Sequence, residues 1–175
     1  RGLPNIRRSP DALDQLVTDS SRKLFTGLGV LTNEELDSRY HVRLERYSKD
    51  ILIELTALRE VVDTMILPAA FAYSGSLARS AAEAKTGGVE VIPQLEAANA
   101  MGRMIERLVA SRNALSDAID DANELHDHPR KQAGFLTSEG ARCMAAVREN
   151  CDGLELTIGD EYWPLPKYRE MLFPV

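Results

Sequence analysis

The sequence has no excess of positive charge and no long apolar run. Its 175 residues include 21 lysines and arginines against 27 aspartates and glutamates, for a net charge of −6. No predicted helix face reads as a basic stripe, and a nucleic-acid partner is therefore not expected. No apolar run reaches the roughly 18 residues of a membrane helix, and no signal peptide opens the chain. These absences predict a cytoplasmic protein without a membrane partner.

Cysteine and aromatic residues are scarce. The two cysteines, Cys143 and Cys151, fall eight residues apart in one predicted helix, which puts their α-carbons about 12 Å apart. Because that distance is too long for a disulfide bond, we expect two small buried thiols in a reducing compartment. Aromatic residues make up only 6% of the chain, while alanine, leucine, glutamate and arginine are common, which favours helices.

Recognisable catalytic motifs are also missing. The pair Gly87-Gly88 has no phosphate-binding pattern around it, and neither the serines nor the cysteines have the setting of a nucleophile. The metal candidate is His126-Asp127-His128 with Glu124 nearby, but it lacks a third ligand at a recognisable spacing. An acidic cluster fits a solvated helix face better than a calcium or magnesium site. Its members are Asp117, Asp120, Asp121, Glu124 and Asp127. The residues alone predict no catalytic, cofactor-binding or metal site.

The first part of the chain contains signals for two short helices. Ser9 as the N-cap residue, followed by Pro10 at the first helical position, predicts the start of one helix. Residues 19–26 predict a second short helix, which should stop at Gly27 or Gly29.

A long helix is predicted next. Thr32 and Glu35 have the spacing of a capping box, and the periodic pattern behind them reaches about Lys85. We expect a kink or a break at Pro68. The apolar positions follow an eleven-residue repeat: Leu36, Tyr40, Leu44, Tyr47, Ile51, Leu55, Leu58, Val62, Ile66 and Ala69.

Two further helices complete the pattern. One should run from about Pro93 to Asp127, with Arg112 at one position of its seam, and the other from Thr137 or Ser138 to about Ile158. The first seam is Met101, Ile105, Leu108, Leu115, Ile119 and Ala122, and the second is Met144, Val147, Cys151, Leu154 and Ile158. The sequence therefore predicts an all-α fold, with long antiparallel helices in a bundle or helical hairpin, short N-terminal helices and an extended C-terminal tail.

The tail, residues 159–175, reads GDEYWPLPKYREMLFPV and contains the only tryptophan and three of the eight prolines. Prolines stiffen an extended path, and aromatic side chains are common anchors at interfaces. We expect the tail to dock on a protein surface. The predicted docking residues are Trp163, Pro164, Pro166, Tyr168, Leu172 and Phe173.

Two stretches resemble one family. The tail matches a W-P-x-P-x-Y-x-x-x-L-F-x-V pattern at the six docking residues and at Val175, and in this it resembles the C-terminal signature of type III glutamine synthetases. Residues 8–40 are similar to the closing part of the catalytic domain of glutamine synthetases. The matching positions there are Ala12, Leu13, Leu16, Leu24, Phe25, Gly29, Val30, Leu31, Thr32 and Glu35.

The resemblance implies a parent enzyme that makes glutamine from glutamate, ammonia and ATP through a γ-glutamyl phosphate. Members of the family use magnesium or manganese held by carboxylates and assemble as rings of six stacked into twelve. The residues that bind ATP and metal belong to segments expected before Arg1, and none can be assigned to a position here. Cofactor-binding and catalytic residues are therefore not expected in this segment.

The resemblance also implies a domain organisation. Residues 1–40 would be the end of the catalytic domain, residues 41–159 a long-helix C-terminal domain, and residues 160–175 the tail. The helices would then brace the catalytic domain or join neighbouring subunits of a homo-oligomer. The alternative is an independent helical adaptor or scaffold whose tail is a binding motif.

Overall fold

The computed structural model describes residues 2 and 4–172, and these residues form helices and turns without any strand. The prediction of an all-α fold with long helices is confirmed. A 3₁₀ turn, Gln15–Val17, follows the first helix, and two π turns, Val62–Ile66 and Leu136–Gly140, join longer helices. The helices are α1 (Ser9–Asp14), α2 (Asp19–Gly27), α3 (Asn33–Val61), α4 (Leu67–Thr86), α5 (Ile92–Glu124), α6 (Pro129–Phe135), α7 (Ala141–Glu155) and α8 (Tyr168–Leu172).

The helix starts are set by local capping, with one correction. Thr32 and Glu35 form the predicted capping box: the Thr32 amide donates to Glu35 Oε2 at 2.8 Å, and the Glu35 amide donates to Thr32 Oγ1 at 3.2 Å. The N-cap prediction for Ser9 is wrong, because Arg8 has the extended N-cap conformation and Ser9 is already helical. Pro10 still lies in the first turn, where its missing N–H leaves no hydrogen bond unmade.

The long helix does not break at Pro68. Helices α3 and α4 follow each other through the π turn Val62–Ile66 as one helix, Asn33–Thr86. Proline in a helix interior removes a hydrogen bond and crowds the carbonyl four residues earlier. A widened turn immediately before Pro68 is one way in which a helix accommodates such an irregularity.

The third predicted helix begins earlier than expected. We expected a start at Thr137 or Ser138, but α6 begins at Pro129 and continues through the second π turn into α7. Pro129 disfavours continuation of the preceding helix, but proline also suits the first turn of a new one, and here it begins α6. Gly140, which weakens a helix on propensity, is buried, and a β-carbon there would lie only 3.3 Å from Leu55 Cδ1.

The chain divides into two compact units, the first made of Arg1–Thr56 and Asp117–Arg142, the second of Ala57–Ser116 and Cys143–Val175. The predicted domain boundaries at residues 40 and 159 are a separate statement about the parent enzyme and stay predictions.

In the first unit, the Tyr47 hydroxyl lies 2.8 Å from Thr137 Oγ1. The buried Gln132 side chain donates to the Ala122 carbonyl at 2.9 Å, which satisfies a carbonyl near the end of α5.

In the second unit, α5 runs antiparallel to both of its neighbours. Arg59 contacts Ser116 and Asp63 contacts Arg112, so that residue numbers rise on one helix as they fall on the other. On the other side, Asn150 donates to Ser111 Oγ at 3.1 Å and Thr157 lies 3.9 Å from Met104 Sδ. These pairs match the expected antiparallel arrangement.

Most residues of the predicted seams are buried. All six α5 seam residues are buried, as are Val147, Cys151, Leu154 and Ile158 of the last seam, while Met144 is half-buried. Cys143 is buried too. On the long helix, Tyr40, Tyr47, Ile51 and Leu58 are half-buried, and the other six predicted positions are buried. Ser48 is buried on the same helix, which the apolar pattern could not indicate.

One helix meets a length and composition criterion for a membrane span. The helix Asn33–Thr86 contains an 18-residue window of mean hydropathy 1.3, of which 17% is buried. Although no uninterrupted apolar run exists there, the sequence analysis did not anticipate this window. The criterion rests on length and composition alone, and buried core helices and signal sequences also meet it. On this helix, Asp63 forms an ion pair with Arg112 of α5.

Candidate functional site

The metal candidate at residues 126–128 lies just after α5. His126 Nδ1 lies 3.0 Å from the Asn123 carbonyl, and His126 Nε2 lies 3.3 Å from Asp127 Oδ1. The side chains of His126 and Asp127 are largely exposed at the end of α5. Within residues 2 and 4–172, no group of three or more histidine, cysteine, aspartate or glutamate side chains could hold a metal ion.

The acidic cluster lies on the outer face of α5. Its four helical members are exposed, while Ala118, Ile119 and Ala122 between them are buried. The carboxylates point away from the core and do not converge on a point that could hold a cation. The members are Asp117, Asp120, Asp121 and Glu124, and exposed Asp127 follows the helix.

A polar network that the sequence analysis missed joins α1 to α6. Arg130 donates from Nε to both carboxylate oxygens of Asp14, at 2.9 and 3.0 Å, and its Nη2 also reaches Asp11 Oδ1 at 2.8 Å. The Tyr40 hydroxyl donates to Asp14 Oδ1 at 2.7 Å. No local pattern could have indicated this network, because Asp14 and Arg130 are 116 residues apart.

Hydrogen bonds and burial shift the pKa values of two groups in this network. The hydrogen bonds from Arg130 keep the pKa of Asp14 below its usual value. Burial, with the neighbouring Asp14 carboxylate, raises the pKa of Tyr40 to about 12. Asp14 therefore stays ionised and Tyr40 stays protonated at neutral pH, which keeps the hydrogen bond between them and the pairing of Asp14 with Arg130 in place.

The arginine in the α5 seam has a specific partner. Arg112 donates from Nε to Asp63 Oδ1 at 2.7 Å and from Nη2 to Oδ2 at 2.5 Å, a two-pronged pair between α5 and the π turn. The Arg112 guanidinium holds the pKa of Asp63 below its usual value. The pair explains how a charged residue occupies an otherwise apolar seam.

Part of the tail folds back onto the second unit. The rings of Tyr162 and Tyr73 meet edge to face with centroids 5.4 Å apart. Lys167, whose side chain is 16% exposed, donates to the Ile158 carbonyl at 3.1 Å and pairs with Asp160 at 2.8 Å. Lys167 thereby closes the loop after α7. Neither Tyr162 nor Lys167 was among the predicted docking residues.

The predicted docking residues have mixed surroundings. Trp163 is half-buried, and its indole N–H is buried without a hydrogen-bond partner in the described part of the chain. Pro164, Pro166 and Leu172 are exposed. Phe173 and Val175, and the side chain of Tyr168, lie outside the described residues. A docking role for these residues therefore stays a prediction.

An apolar face is exposed at the end of α2. The helix ends in a Schellman arrangement: the Val30 amide donates to the Phe25 carbonyl at 3.0 Å, and Gly29 takes a φ of 66°, which glycine tolerates best. Leu24 and Leu28 share one face of the helix, and with Val30 they are 57, 70 and 59% exposed. Three large apolar side chains near the end of one short helix are therefore exposed to water.

The comparisons with known proteins all concern one family. A family model described as the glutamine synthetase C-terminal domain matches residues 1–85. The chain is 31% identical over 189 residues to a type-3 glutamine synthetase of Dictyostelium discoideum, and 31% identical over 178 residues to a glutamine synthetase of Bacteroides fragilis. Each alignment covers 99% of this chain and 24% of the relative.

The matched relatives are thus about four times as long as the chain, which spans about a quarter of their length. The family model covers α1 to α4, including the exposed apolar face, and the relatives align across the tail as well. The chain therefore belongs to the glutamine synthetase family, as a C-terminal segment that resembles the type-3 members over its whole length.

Proposed function

We propose that the chain is the structural C-terminal part of an enzyme that makes glutamine from glutamate, ammonia and ATP. The names of the relatives support the parent activity. The segment would brace the catalytic domain or join neighbouring subunits of a homo-oligomer. The family relationship also favours this proposal over an independent adaptor, because the similarity continues through α1 to α4 and is not confined to the tail.

The ATP and the magnesium or manganese ions would be held by the rest of the enzyme. The described residues do not fit a metal site, since no three suitable side chains come together. The carboxylates of Asp63 and Asp14 already form ion pairs with Arg112 and Arg130. A cytoplasmic location belongs to the same proposal, because two buried thiols suit a reducing compartment.

The exposed face of Leu24, Leu28 and Val30 is the observation that carries the structural role. Burying such side chains contributes about 1.5–3 kcal/mol each. Inside this chain, that contribution is not realised. In the full-length enzyme, the same face would pack against the catalytic domain that the segment follows.

The test replaces Leu24 and Leu28 by aspartate in the full-length enzyme. We expect a lower melting temperature and a loss of at least tenfold in glutamine formation, because two charges would be buried at an interface. The matched control is Leu156→Asp, because Leu156 lies just after α7 and is already 90% exposed. If the double variant behaves like this control in both measurements, the bracing role through α2 is wrong.

A further inference from the structure

A small crevice lies between α5 and α7 in the second unit. It has a volume of about 330 Å³ and is lined by Met104, Arg107, Glu149, Asn150 and Gly153. Arg107 and Glu149 are exposed, and the other three residues are half-buried. Ligand pockets span roughly 300–1,000 Å³, so a crevice of this size suits a small metabolite.

The crevice brings together one cation and one anion from different helices. Arg107 and Glu149 form no ion pair with any residue that the structure describes. Neither has an oppositely charged residue three or four positions away on its own helix, which is the spacing that pairs charges along a helix. Both charges are therefore available to a ligand that carries the two opposite charges.

The Asn150 side chain adds a hydrogen-bond acceptor in a fixed orientation. Its Nδ2 donates to Ser111 Oγ at 3.1 Å and to the Ala146 carbonyl at 2.9 Å. Because both amide hydrogens are engaged in these bonds, the side chain can offer a ligand only its Oδ1 oxygen, which accepts. Together with the Glu149 carboxylate, this oxygen suits an ammonium group, which donates three hydrogen bonds.

Gly153 keeps the crevice open at a cost to its helix. The residue lies inside α7, where glycine is less favourable than alanine. A β-carbon at this position would lie 3.5 Å from Met104 Cε, an ordinary contact distance that requires no rearrangement. Helix packing therefore does not explain the glycine, whereas an added methyl group would take up space in the crevice.

We propose that this crevice binds a free α-amino acid with an uncharged side chain. The α-carboxylate pairs with the Arg107 guanidinium, and the α-ammonium donates to the Glu149 carboxylate and to Asn150 Oδ1. Within the described part of the chain, the lining of the crevice has no third charged residue, and the ligand side chain, which lies against Met104, is therefore uncharged. The site is additional to the bracing role proposed above and does not depend on it.

The test uses L-leucine as the probe and the full 175-residue chain labelled with carbon-13 at its methionine methyl groups. We expect the Met104 methyl signal to shift with a Kd below about 1 mM. The signal of Met171, which is 63% exposed and lies outside the crevice, should stay unchanged. Isopentylamine and 4-methylpentanoate each keep the leucine side chain and one of its two charges, and they should bind at least about tenfold more weakly.

Substitutions that remove one charge test the two ends of the ligand separately. Arg107→Gln and Glu149→Gln should each weaken leucine binding by at least about tenfold, because each removes one charge-assisted pair. The matched controls Arg103→Gln and Glu106→Gln make the same changes at exposed positions of α5 outside the crevice. Both controls should bind leucine like the unchanged chain.

A substitution at Gly153 separates binding from folding. Gly153→Ala should raise the melting temperature, because alanine favours the helix, and should weaken leucine binding roughly fivefold, because the methyl group occupies part of the crevice. A variant that merely folded poorly would lose stability and affinity together.

Four results would each overturn the inference. The first is a Met104 signal that does not move at about 20 mM L-leucine, well above the expected Kd, and the second is an analogue with a single charge that binds as tightly as leucine. The third is an Arg107 or Glu149 variant that binds like its control, and the fourth is a Gly153→Ala variant with full affinity. None of these measurements involves the α2 face, so the bracing role is decided separately in the full-length enzyme.

Discussion

Helices α5 and α2 differ in how deeply their apolar side chains are buried. Every apolar residue predicted for the α5 seam is buried, from Met101 to Ala122. In α2, Leu24 is more than half exposed and no residue of the helix is buried. Both helices are amphipathic, but only α5 finds the partners for its apolar face within the chain.

The difference separates two kinds of stability. The α5 seam stabilises this chain by itself, since its side chains leave water when the chain folds. Under the proposed function, the exposed α2 face would stabilise the full-length enzyme and contributes little to the stability of this chain alone. This is the behaviour expected of a segment whose relatives are about four times as long.

The largest effect should come from truncating the α5 seam. Leu115 is completely buried, and Leu115→Ala should lower the free energy of unfolding by about 3 kcal/mol through lost burial and a cavity. Leu24→Ala should change it by less than about 0.5 kcal/mol in this chain. Urea unfolding of both variants checks the contrast, and equal losses would show that α2 is part of the core of this chain.

Removal of the tail should have the next largest effect. Deleting residues 162–175 removes the Tyr162–Tyr73 contact and the hydrogen bond from Lys167 to Ile158, and we expect a loss of about 2 kcal/mol. The shorter deletion of residues 171–175 starts at Met171, which is 63% exposed, and serves as the control. An unchanged melting temperature after the longer deletion would reject docking of the tail onto this chain.

The Asp63–Arg112 pair should give a pH-dependent contribution. Because the pKa of Asp63 is lowered in the folded chain, the contribution is present above the unfolded pKa of 3.8 and is lost as the pH falls through the folded value. At neutral pH, Asp63→Asn should cost about 1 kcal/mol.

The pH dependence supplies the control for this pair. The stability difference between Asp63→Asn and the unchanged chain should shrink as the pH falls below 3.8, where the unfolded chain takes up the proton, and should level off below the lowered folded pKa. Melting curves at several pH values measure it. A difference that stays constant down to pH 2 would mean that the carboxylate charge does not stabilise the fold.

The smallest expected change is a gain in stability. Ser48 is 1% exposed and its hydroxyl has no hydrogen-bond partner in the described part of the chain. Ser48→Ala removes a buried unpaired polar atom and raises helix propensity, which should stabilise the chain by about 0.5–1 kcal/mol. As a matched comparison, the same substitution at exposed Ser80 of α4 should bring only the propensity gain. Equal gains at both positions would mean that the buried hydroxyl costs nothing.

Features that depend on neighbouring residues could be predicted from the sequence. The capping box at Thr32 and Glu35 and the seams of α5 and α7 follow from local spacing, and the structure confirms them. The start of α6 could not be chosen on the same grounds, because Pro129 is compatible both with the end of one helix and with the start of the next.

Features that depend on distant residues could not be predicted. Arg130 meets Asp14 from 116 positions away, and Gln132 caps α5 only because α6 turns back beside it. In the tail, the apolar residues form the recognisable pattern, whereas it is Lys167 that donates a hydrogen bond to the Ile158 carbonyl. A long flexible cation gives no periodic signal that would indicate such a role.

The proposed function makes this chain a structural segment of a glutamine-forming enzyme, without a reaction centre of its own. The most direct measurement compares the purified chain with the full-length enzyme in the same assay, with glutamate, ammonia, ATP and magnesium supplied. We expect glutamine and ADP to form only with the full-length enzyme, and the chain alone to match the protein-free blank. Sustained glutamine formation by the chain alone would contradict the account.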